Sequence, residues 1–128
     1  MCIRDRVNGW GFCSGTLINN TSKDGTPYIL TAEHCVGNSD GSDWVYIFNW
    51  ESPTCENINP GMNNSISGSI LKSKWKWSWN DINATDFALF EMSMPPPPSY
   101  DAIYSGWSRL LVEPTTVSYT HLTLPTKA

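Results

Sequence analysis

Apolar and polar residues alternate in short runs along this chain, and no stretch keeps the 3.6-residue periodicity of an amphipathic helix. Residues 10–19 predict a strand, and the polar cluster 20–25 a tight turn. Tyr28-Ile29-Leu30 predicts a short buried strand ending at Thr31, bounded by Pro27 and followed by a turn or single helical turn over 32–36. Residues 44–50 carry the strongest strand signal, being largely β-branched and aromatic. The stretch 65–79 ends in an alternation that sets Lys72, Lys74 and Lys76 opposite Trp75, Trp77 and Trp79 if extended. A further strand is predicted over 86–92, an extended polyproline linker over 95–98, and the start of another strand over 102–107. Five or six short strands separated by turn signals predict an all-β domain, a small barrel or sandwich.

Composition adds a class. Residues such as Trp, Asn, Ser and Gly are abundant and charges are few, which fits a secreted β protein. The two ends stand apart from the rest. Residues 1–6 can be encoded ATG-TGT-ATA-AGA-GAC-AGx, and the reverse complement of that DNA translates as Val117-Ser-Tyr-Thr-His121. Residues 1–6 and 117–128 are therefore expected to be non-native, adapter-derived ends and receive no element. The remaining 110 residues hold five basic and eleven acidic side chains, a balance that argues against a nucleic-acid partner. No run of about 18 apolar residues is present to span a membrane. That length suffices for one modest domain with its own core. It contains Cys13, Cys35 and Cys55, an odd number, so one cysteine is expected to have its partner outside this stretch.

Chemistry centres on the one histidine inside those bounds, His34. Thr31-Ala32-Glu33-His34-Cys35 resembles the T-A-x-H-C motif of trypsin-like (chymotrypsin-fold) serine proteases, in which the histidine is the general base. Cys13-Ser14-Gly15-Thr16-Leu17-Ile18 looks like the C-x-G-[ST]-L-[IV] strand of the same family. A third block, Thr85-Asp86-Phe87-Ala88-Leu89-Phe90-Glu91, resembles the D-[FIL]-A-L-[LF]-x segment that carries the triad aspartate. Asn19-Asn20-Thr21, Thr54-Cys55, Ser67-Gly68-Ser69 and Gly106-Trp107 are similar to the bacterial lysyl endopeptidase branch, and the resemblance covers nearly all of residues 10–109.

The resemblance implies a fold and a set of roles. The fold is an antiparallel six-stranded barrel, the first half of a two-barrel chymotrypsin-like architecture, over residues 7–94. Residues 95–116 are then a linker and the truncated start of the second barrel. His34 acts as general base, because an imidazole with pKa about 6.5 can take a serine proton near neutral pH. Asp86 orients it, with Asp81 and Asp43 as fallback carboxylates, and Trp77 and Trp79 form a possible substrate wall. Cys13 and Cys35 pair as a disulfide; free thiols or a zinc site with His34 are the alternatives, although zinc wants about four ligands and only three such groups are at hand. No G-[DS]-S-G-[GS] nucleophile loop occurs in the chain. The expected protein is thus a fragment of a secreted serine endopeptidase, possibly lysine-specific, with a polypeptide substrate, the missing second barrel as partner, and neither metal nor cofactor. The rival expectation is a non-catalytic Trp-rich β-domain that binds carbohydrate or protein. Convergence of His34 and Asp86 at hydrogen-bond distance in a cleft, with the tryptophans facing elsewhere, separates the two.

Overall fold

In a computed structural model, residues 3–7, 10–51, 55, 61–76, 78, 80 and 84–107 are described, with the backbone path alone for 3–7 and 10–12. Seven antiparallel strands form: β1 (Ile3–Val7), β2 (Trp10–Ile18), β3 (Tyr28–Thr31), β4 (Val45–Ile47), β5 (Ser65–Ser67), β6 (Ser69–Trp75) and β7 (Phe87–Met92). Their hydrogen-bonded order is β5-β4-β1-β2-β3-β7-β6. Two 3₁₀ turns, Glu33–Cys35 and Pro98–Tyr100, complete the elements, and no α-helix occurs among the described residues. The chain is thus all-β as expected. Its ladders, however, describe an open seven-stranded order with β5 and β6 at the ends, rather than a closed six-stranded barrel.

The difference arises at Gly68. The predicted single strand 65–79 divides there, because Gly68 takes φ +82°, a conformation that only glycine adopts without steric penalty. Its N–H donates to Trp44 O (2.8 Å) while its carbonyl accepts from the Ser93 N–H (3.0 Å). One peptide unit therefore hands the chain from the β4 side of the sheet to the β7 side. Beyond it, β6 bulges between Leu71 and Ser73, so Lys72 drops out of the ladder and the predicted alternation is lost.

The aromatic run 44–50 gives only three ladder residues. Trp44, Tyr46, Ile47 and Phe48 are all buried, so both faces of this segment are covered, and Asn49 ends the extension at φ +52° with its Nδ2 donating to Tyr100 O (2.7 Å). The core joins Leu17, Ile29, Trp44, Tyr46, Phe48, Ile66, Ala88, Phe90 and Met92. Trp44 and Phe90 stack with ring centroids 4.6 Å apart. Such a pair contributes about 0.5–1.5 kcal/mol beyond burial. Polar groups beside the core aromatics are paired: Trp44 Nε1 donates to Ser39 Oγ (2.9 Å), and Ser69 Oγ bonds both Tyr46 OH (2.7 Å) and Gly41 O (3.0 Å).

Two stretches differ from expectation at the ends. Ile3–Val7, which received no element, pairs with both β2 and β4. Backbone pairing of this kind needs an extended chain in the right place and leaves no side-chain signature. Residues 102–107 form a single parallel bridge, Ser105 to Ile18, instead of a strand. This stretch still lies on the core: Tyr100, Ala102 and Tyr104 pack against it, and Trp107 Nε1 donates to Asn19 O (2.8 Å). The polyproline 95–98 turns at its last residue, where Pro98 opens the second 3₁₀ turn. No described helix is long and apolar enough to cross a membrane.

Candidate active site

Strand register brings the two candidate residues together. β3 and β7 run antiparallel with Thr31 opposite Ala88, and continuing that ladder past its end sets Glu33 and His34 beside Asp86. Small residues make the approach possible. Gly15 on β2 lies so close to β3 that a Cβ there would sit 2.8 Å from Ile29 Cγ2 and 3.3 Å from Leu30 O. The buried Thr31 side chain donates to Ser14 O (3.0 Å), tying the end of β3 to the same strand.

His34 sits in the middle of the Glu33–Cys35 turn, its side chain 63% exposed, and Asp86 is less open at 24%. Asp86 Oδ2 lies 2.7 Å from His34 Nδ1, while Oδ1 accepts the His34 backbone N–H at 3.0 Å. One carboxylate thus holds both the ring and the peptide of a single residue. Among the described residues the other ring nitrogen, Nε2, has no hydrogen-bond partner. Burial pushes the Asp86 carboxyl up, but the hydrogen bonds from the His34 amide and ring, the charge on that ring and the Glu33 amide outweigh it, so its pKa falls below the ordinary carboxylate value. Asp86 therefore stays a carboxylate at neutral pH and can only accept. Nδ1 must carry the proton, which leaves the Nε2 lone pair free to take another.

Asp86 occupies φ +43°, left-handed space that costs a non-glycine residue about 1–2 kcal/mol. Nothing in the sequence forecasts this conformation. Its hydrogen bonds to the turn hold it there, and backbone strain of this sort gathers at functional sites.

Cys13 on β2 and Cys35 at the end of the turn form a disulfide with Cα atoms 6.2 Å apart. The bridge fastens the His34 turn to the sheet. Both sulfurs and a His34 ring nitrogen lie within 4.8 Å of one another, but the sulfurs are bonded together and offer no thiolate. Cys55 is exposed and unpaired among the described residues.

The other predicted groups fall elsewhere. Asp43 accepts from Ser39 Oγ (3.0 Å) in the loop under Trp44, away from His34, so it is not the orienting carboxylate. Asp81, Trp77 and Trp79 lie outside the described residues. Sequence reasoning passed over the groove beside the base, about 520 Å³ in volume, lined by Glu33, Gly37, Asn38, Lys74, Trp75 and Lys76. Trp75 is 53% exposed there, and Lys74 Nζ reaches Glu33 Oε1 at 3.7 Å. No sequence signal marks this groove: Lys74 reaches the turn only through its ladder partner Ala88, which pairs in turn with Thr31. Lys72 instead pairs with Glu91 at 2.9 Å.

The sequence model of the family described as "Lysyl endopeptidase, C-terminal domain" matches residues 1–122.

Proposed function

The chain belongs to the lysyl endopeptidase C-terminal domain family, and from that premise we propose that it supplies the base and the orienting carboxylate of a peptide-bond-cleaving Ser–His–Asp triad. His34 takes the serine proton on Nε2 and later returns it to the leaving amine, while Asp86 fixes the tautomer and stabilises the imidazolium. The observation that carries this reading is the double grip of Asp86 on the His34 ring and amide. The serine, oxyanion donors and specificity pocket come from sequence outside these 128 residues, in a second barrel that packs beside this one. Lysine preference rests on the family's description alone, and secretion on the Cys13–Cys35 disulfide, which suits an oxidising compartment.

The fold that goes with this reading is the six-stranded barrel of trypsin-like proteases. Its support is the chain at Gly68, where β5 and β6 follow each other with one residue between them. Counted as one bent strand, they serve both ends of the hydrogen-bonded order and close it through the covalent chain. The exposed Trp75 and the groove at Glu33 and Lys74 border the substrate path. The rival, a non-catalytic Trp-rich domain that binds carbohydrate or protein, gives no reason for His34 and Asp86 to meet, since a binding platform needs no tautomer lock.

Long-range ¹H–¹⁵N NMR of the His34 ring tests the proposal. At neutral pH the neutral ring should carry its proton on Nδ1. A ring protonated mainly on Nε2 would leave no lone pair facing a nucleophile and would sink the assignment.

A further inference from the structure

The disulfide beside the base hides a second set of donors. Sγ of Cys13, Sγ of Cys35 and a ring nitrogen of His34 lie within 4.8 Å of one another. Tetrahedral zinc, with Zn–S near 2.3 Å and Zn–N near 2.0–2.1 Å, sets its ligand atoms about 3.6–3.8 Å apart. Once the S–S bond opens, the sulfurs need only separate to that spacing, while the imidazole closes by at most about 1.2 Å. Its 63% exposure leaves the ring room to turn. Asp86, 2.7 Å from Nδ1, supplies a carboxylate that either orients the ring from its other nitrogen or stands ready as an oxygen donor.

We propose that the reduced form of this chain binds one zinc-like divalent ion through Cys13, His34 and Cys35, and that this state and the disulfide exclude each other. Opening the bridge with a trialkylphosphine balances as Cys–S–S–Cys + R₃P + H₂O → 2 Cys–SH + R₃P=O. Metal entry then releases two protons, one from each thiol, as both sulfurs become thiolate ligands. The ion ties up the imidazole, so the metal-bound form has no free base at position 34; this consequence alone rests on the triad reading, and the site does not. Reoxidation must expel the ion before the S–S bond can reform.

Cobalt(II) titration of a Cys2→Ser/Cys55→Ser chain, from which the other two thiols are gone, tests the site. Reduced protein should develop thiolate-to-cobalt charge-transfer absorption that saturates at one equivalent and is bleached by zinc, while oxidised protein develops none. Adding Cys13→Ser should abolish the band, and adding His34→Ala should weaken binding at least ten-fold. The zinc-loaded form should keep a dispersed amide spectrum, with shifts centred on residues 33–36. The proposal is overturned by a reduced chain without the band, by a His34→Ala variant of unchanged affinity, or by a zinc-loaded chain whose amide spectrum has collapsed.

Discussion

Asp86 does three things at once: it caps the amide of His34, sets the tautomer of the same ring, and enters β7 from left-handed backbone. All three depend on a carboxylate that only accepts, which its lowered pKa secures at neutral pH. Asparagine in its place keeps the shape but can present an amide N–H to Nδ1. The ring must then become the acceptor there and move its proton to Nε2. Asp86→Asn is therefore expected to invert the His34 tautomer, read directly from ring ¹⁵N shifts. In a full-length enzyme of the kind proposed, kcat should fall by about 10⁴-fold, the loss known for this exchange in a trypsin-like triad. A variant that keeps Nδ1–H and near-normal turnover would show that the carboxylate is only structural.

The elements that hold the site work through two kinds of restraint, covalent and steric. The Cys13–Cys35 bridge closes 22 residues between β2 and the His34 turn. A loop of that size is worth roughly 3 kcal/mol in the chain-entropy account. Replacing both cysteines by serine should lower urea-unfolding stability by about that amount and broaden the resonances of the 33–35 turn; unchanged stability would mean that the turn is held by Asp86 alone. The steric restraint lies at Gly41, where φ is +90° and a Cβ would fall 2.7 Å from the Phe90 ring and 2.5 Å from Ser69 Oγ. Gly41→Ala combines left-handed strain with overpacking against the core around Phe90. A loss of about 2–4 kcal/mol is expected from the two together, measured by thermal or urea unfolding. Gly37, with φ +56° but nothing near its Cβ, should lose less on the same change, because only the strain applies.

At the scale of the whole molecule, what the sequence discloses depends on whether a residue's partner is local. The strand Tyr28–Thr31 and the turn after it are legible because Pro27 and the small Thr31-Ala32 pair bound them, and His34 with Asp86 is legible from three ordered motifs. The break at Gly68, the bulge at Lys72 and the early end of the aromatic run are not. Each meets a partner distant in sequence: Trp44 and Ser93 for Gly68, Glu91 for Lys72, Tyr100 for Asn49. Acid stability draws on both local and distant partners. Asp24 is held below the usual carboxylate value by the Thr26 hydroxyl, the Thr26 amide and the Asn20 amide group, and Asp40 by the Ser42 hydroxyl and amide. Asp86 joins them despite its partial burial. Each binds fewer protons folded than unfolded once the pH reaches the ordinary carboxylate range, so stability rises with pH there and is fully present above about pH 5. It drains away as pH falls through the lowered native values. Urea midpoints should thus be flat from pH 7 to about 5 and decline below it, and Asp86→Asn, which has no proton to gain, should show a shallower decline than the parent. Equal slopes for parent and variant would mean that the His34 contacts do not favour the ionised carboxylate in the fold, and would remove the reason for placing the proton on Nδ1.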